Sequence, residues 1–160
     1  EADAAIARSD AAAALGPFLR RTELRPLDDV RDYAGVATIL FELGYEKESD
    51  EVLLKFARFF DANNEPKAAF MFRERFALHA SLSGDPIRAA DTAELVLAEK
   101  PNFVPALTVR MLKLMQDGQR AQAAAVAQRI IRLSPDPNTP WRRKAEQVLA
   151  SVRGGSLMGP

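Results

Sequence analysis

The chain has 160 residues, about the length of one ordinary domain. Its 22 basic and 22 acidic side chains cancel, so no global field draws it to nucleic acid or to an anionic membrane. It has no cysteine, which excludes disulfides, thiolate metal sites and a cysteine nucleophile, and no apolar run approaches the roughly 20 residues of a membrane span.

Apolar residues at 48% supply a core, and charged residues at 28% argue against disorder. Ala occurs 28 times, and Ala loses no side-chain entropy in a helix. No stretch alternates Val, Ile, Thr or aromatics with polar residues as a half-buried strand would, so an all-α fold is expected. The first residue is Glu1 rather than Met, which reads as a processed chain or an excised fragment, and no secretory signal is visible. Sixteen Arg against six Lys, with abundant Ala, suggests a GC-rich bacterial source; the compartment, cytoplasm or periplasm, is left open.

In chain order, residues 1–29 form an N-terminal segment with an Ala-rich helix over 2–15, interrupted by Gly16 and Pro17. The first helical pair is expected over 30–66, with Tyr33, Val36, Ala37 and Leu40 on one stripe before a turn at Gly44. The acidic run Glu46, Glu48, Asp50 and Glu51 lacks the spacing and central Gly of a calcium loop. It suits a helix start, where exposed N–H groups attract negative charge, and the helix should run over 46–61. Asn63 and Asn64 then read as turn chemistry. The next block, 70–103, has a helix over 69–82 with Phe72, Phe76, Ala77 and Ala80 inward, a turn at Gly84, and Ala89 and Ala93 on the following helix. Block 104–137 repeats this with Leu107, Met111 and Leu114 inward, Gly118, Ala123 and Ala127. A closing helix over 140–153 carries Trp141, and residues 154–160 should be mobile.

The last two blocks superimpose at an offset of 34: Gly84 on Gly118, Ala89 on Ala123, Ala93 on Ala127, Pro101 on Pro135. Gly tolerates the left-handed backbone that ends a helix, Pro cannot continue one, and the Ala pairs let two helices approach closely. This pattern resembles the tetratricopeptide repeat, a helix–turn–helix unit of 34 residues. The resemblance covers about 30–152. It implies a right-handed solenoid of stacked hairpins with a C-terminal capping helix, and a concave wall lined by the first helix of each unit. Arg73 and Arg110 stand where the family has apolar residues; either their alkyl stems pack while the guanidinium reaches water, or the register is locally wrong.

A second apolar stripe, Met71, Leu78 and Leu82, lies roughly 100° or more from the core stripe. Leu112 and Met115 recur one unit later, with Thr108 in line with Glu74. Met71, Glu74, Arg75, Leu78, Leu82, Thr108, Leu112 and Met115 are therefore the expected partner-binding groove, suited to a protein or peptide held at about micromolar affinity. Burial by the chain's own N-terminal segment or by a second copy explains the same stripe. The Lys, Asn and Arg clamp that some family members use for a terminal carboxylate is absent; Ala34, Thr38, Glu74, Leu78, Thr108 and Leu112 occupy those positions.

Catalysis has little support. His79 is the single histidine, so no paired-histidine metal site can form, and no nucleophile or phosphate-cradling motif accompanies it. No cofactor is implied. Nucleic acid is not an expected partner, because no aromatics interleave with the basic residues. Residues 1–100 carry 13 basic and 19 acidic side chains, whereas 101–160 carry 9 and 3. That asymmetry fits solvated helix faces, head-to-tail self-assembly, or steering of an acidic partner. The functional expectation is a non-catalytic interaction module, a scaffold or adaptor. The alternative is a self-assembly or accessory segment of a larger protein.

Overall fold

A computed structural model describes residues 30–155, and within them every regular element is helical, with no strand. The expectations for residues 1–29 and for the last residues of the tail lie outside the described residues. Seven α-helices follow one another: α1 (Val30–Glu42), α2 (Glu46–Ala62), α3 (Pro66–Leu82), α4 (Ala90–Glu99), α5 (Val104–Gln116), α6 (Arg120–Leu133) and α7 (Pro140–Gly155). A 3₁₀ turn, Pro86–Ala89, leads into α4. The chain divides into two compact units, Glu1–Phe72 and Arg73–Pro160, with the boundary inside α3.

Three of the connections are one motif written in different residues. After α1, Gly44 N–H donates to Phe41 O and Tyr45 N–H to Leu40 O; after α2, Asn64 donates to Asp61 and Glu65 to Phe60; after α5, Gly118 donates to Met115 and Gln119 to Leu114. These paired 5→2 and 6→1 bonds satisfy the last carbonyls of each helix. The motif needs a left-handed residue, and Gly44, Asn64 and Gly118 supply it with φ of 86°, 60° and 74°. The next helix begins at once, because Tyr45, Glu65 and Gln119 each offer their carbonyl to the N–H four residues on.

Gly84, paired with Gly118 by sequence, is built differently. Its φ stays out of the left-handed region. Here Ser83 Oγ donates to Ala80 O at 2.9 Å and accepts from Asp85 N–H at 3.3 Å, so a hydroxyl does what a left-handed backbone does elsewhere. Arg88 Nη1 adds bonds to Ser83 Oγ and to Asp85 O. The ends of α4 and α6, 34 residues apart, are alike. Lys100 (φ −125°, ψ 80°) and Ser134 (φ −120°, ψ 81°) close α4 and α6 in one conformation, each donating to the residue four back.

In the first unit α1 packs on α2, and Ser49, fully buried, donates its hydroxyl to Ala37 O at 2.6 Å. Tyr33 stacks on Phe56 with centroids 4.3 Å apart, and Phe72 stacks on both Phe56 and Phe60 at about 5.5 Å. Offset aromatic pairs of this kind add about 0.5–1.5 kcal/mol each beyond the area they bury. Of the predicted inward residues Tyr33, Ala37, Leu40 and Phe72 are buried, whereas Val36 is half-buried. The α2 helix runs one residue past its expected end. Helix α3 begins a turn earlier than expected, since Pro66 is acceptable in a first turn whose N–H groups need no partner.

The second unit is packed through small residues. Ala89, Ala93, Ala123, Ala127 and Ala145 are buried beside Leu107, Val109, Met111 and Ile130. Helix α5 contacts α4, α6 and α7, and α6 contacts α7. Of the two arginines on stripes expected to face the core, Arg110 grips both carboxylate oxygens of Glu94 with its guanidinium, Nε to Oε1 at 2.7 Å, which holds its pKa above the usual arginine value. Arg73 is half-buried. Thr139 accepts from Arg142 N–H at 3.3 Å and Pro140 opens α7, a cap followed by the residue best suited to a first turn. Helix α7 continues through Gly155, so the first residues of the expected mobile tail are helical.

Candidate functional site

The eight residues expected to form the groove have different fates. Thr108 is fully buried, its hydroxyl donating to Val104 O at 3.0 Å, so it offers no surface to a partner. Glu74 Oε1 accepts from Lys100 Nζ at 2.7 Å. Met71, Arg75 and Leu78 are half-buried on α3, and Leu82 is 41% exposed at its end. Met71 belongs to the first unit and the other seven to the second.

Leu112 and Met115 do come together at a recess, one wholly inside the second unit. It is a cleft of about 470 Å³ between the α3–3₁₀ turn, α5 and α7. Ser83, Gly84, Pro86 and Ile87 form one side, Leu112 and Met115 the floor from α5, and Lys144, Gln147, Val148 and Ser151 the wall from α7. Volumes of 300–1,000 Å³ with apolar walls and few polar groups are usual for ligand sites. The other six expected groove residues do not line it. Sequence reasoning missed α7's share. The signal was present: Lys144, Val148 and Ser151 recur at i, i+4 and i+7, one face of a helix, but Lys144 read as part of a solvated basic end.

A polar hub anchors the α7 wall. Ser81 is fully buried at the end of α3; its Oγ donates to Leu78 O at 2.7 Å and accepts the Trp141 indole N–H at 2.9 Å. The Ser81 carbonyl accepts from Lys144 Nζ at 2.5 Å. A cation at a helix C-terminus meets the negative end of the dipole and one of its open carbonyls. Partial burial nevertheless pushes the Lys144 ammonium below the usual lysine pKa, and no carboxylate among the described residues pairs with it. Arg142 plays the matching part at the end of α6, donating to Ser134 O and Pro135 O while its Nε pairs with Glu146.

His79 lies on α3 and is 2% exposed. Burial first, then the positive charges of Arg75 and Arg88, lower its pKa to about 4, so it is neutral at physiological pH. Among the described residues no group of three or more His, Cys, Asp or Glu side chains is placed to hold a metal ion. No described helix is long and apolar enough to cross a membrane.

Comparisons with protein-family models, with curated proteins and with solved structures give no significant match. What the fold and the cleft define is a class: the described residues form consecutive helices joined by short turns, with a largely apolar recess in the second unit.

Proposed function

We propose that this chain is a non-catalytic interaction module, similar in plan to tetratricopeptide repeats, that docks a peptide or helix of a partner protein. The observation that carries the reading is the cleft, which the half-buried Leu112 and Met115 of α5 line together with Val148 of α7. Support for the repeat plan comes from the matching ends of α4 and α6, 34 residues apart, and from the buried alanine pairs at the same offset. Stacked units of this kind bury a continuous core that a lone hairpin cannot.

The test is affinity capture on the wild-type chain and on Leu112→Glu/Met115→Glu, followed by titration of the recovered partner. Binding should be lost with helicity intact, while the exposed control Ala125→Glu binds as wild type. Equal binding by all three removes the cleft as the docking site.

A second reading, self-association, is favoured by charge: the segment 73–160 holds 13 basic and 8 acidic side chains, the segment 1–72 the reverse excess. Sedimentation at low and high salt tests it; a salt-independent monomer excludes it.

A further inference from the structure

Among the described residues the one charged side chain lining the cleft is Lys144, whose described polar contact is the Ser81 carbonyl. A half-buried ammonium beside an apolar floor, with a neutral carbonyl as its described partner, has donor positions left over for an anionic group. The second unit adds to this with its excess of basic residues. The shape is also informative. Along α7 the lining runs from Lys144 to Ser151, two helical turns or about 10 Å, and Leu112 and Met115 lie one turn apart on α5. A recess two turns long between helix faces accepts side chains spaced i, i+3 or i+4, and i+7 on a partner helix.

We infer that the cleft takes an amphipathic helix of a partner protein, with an Asp or Glu side chain paired to Lys144 and apolar side chains one and two turns along packed on Leu112, Met115 and Val148. This rests on the reading of the cleft as a docking site. The carboxylate completes the ammonium's remaining donor positions, a charge-assisted bond that fixes register as well as affinity.

The test is selection on the full chain from a displayed library of 15-residue helices. Apolar residues are fixed at i, i+4 and i+7 and all other positions are random. The same selection is run on Lys144→Glu and on Lys144→Gln, which keeps a donor for Ser81; circular dichroism and Trp141 fluorescence report whether each variant keeps its fold. Peptides recovered on the wild type should share Asp or Glu at one position a turn from the apolar set. They should bind Lys144→Gln about tenfold more weakly, and Lys144→Glu should select Lys or Arg there instead. Cleft-binding peptides with no charge preference, or with one that neither variant changes, overturn the inference and leave the docking reading standing. Recovery of no peptides, or of peptides whose binding survives Leu112→Glu, overturns both.

Discussion

Trp141 and Ser81, 60 residues apart in sequence, are joined by a 2.9 Å bond from the indole N–H to the hydroxyl oxygen. The same hydroxyl donates back to Leu78 O, and the serine carbonyl receives Lys144. One small buried residue therefore orients two side chains of α7, and with them the wall of the cleft.

Ser81→Ala leaves the half-buried Trp141 indole N–H without its acceptor. Losing such a hydrogen bond costs about 0.5–1.5 kcal/mol. Urea unfolding should show that loss. Trp141 is the single tryptophan, so its emission in the folded variant reports directly on how α7 is seated. An unchanged midpoint and spectrum would mean the hub contributes nothing.

The two glycines matched by sequence should respond differently to alanine. Gly118 has φ of 74°, where a Cβ costs roughly 1–2 kcal/mol. Gly84 has ordinary φ and open space around a built Cβ, so Gly84→Ala should fall within about 0.5 kcal/mol of wild type. Asn64→Gly should be neutral or slightly stabilising, because φ of 60° is strained for any residue with a Cβ. Denaturation midpoints of the three variants check this.

Small residues let the helices of the second unit approach. Ala127→Leu places three extra carbons where the native side chain is fully buried, and overpacking of this kind typically costs about 1–3 kcal/mol. Ala125→Leu, on the exposed face of α6, should be close to neutral. Thermal melts that rank the pair in the opposite order would contradict the packing of α6.

His79 gives stability a pH dependence of defined sign. The unfolded chain takes up its proton near the ordinary value of 6.5, the folded chain only near 4, because burial and then Arg75 and Arg88 oppose the charge. Between those values the unfolded state binds more protons, so stability is complete above about pH 6.5 and declines as the pH falls toward 4. The full loss is about 3 kcal/mol. Melting of wild type and His79→Leu at pH 7.5 and pH 5 isolates it; the variant should lose less stability over the interval.

The helices themselves were legible from residue type and spacing. Helix α2 spans nearly its expected range because an acidic start, an apolar period and an Asn-Asn stop act within the segment. Most of the inward stripes of α1, α3 and α5 followed from 3.6-residue periodicity, with Val36 and Leu114 only half-buried, and the buried Ala89, Ala93, Ala123 and Ala127 followed from the 34-residue offset. The site was legible only in part. Leu112 and Met115 were found as a second apolar stripe, but a stripe does not say which element stands opposite it. Thr108 shared their wheel position and is nonetheless fully buried. Its hydroxyl is satisfied within its own helix, so burial left no polar group exposed to apolar surroundings.

Local energetics, capping, turn propensity and periodicity, thus set the order of the helices and their ends to within about a turn from sequence alone, because they depend on neighbours a few residues away. Only the tertiary structure placed α7 against the end of α3 and turned Lys144 from a solvated charge into a half-buried cation lining a largely apolar cleft. That placement depends on contacts 60 or more residues distant, where a buried serine meets an indole and an ammonium. No local pattern encodes which of the chain's serines will be so met.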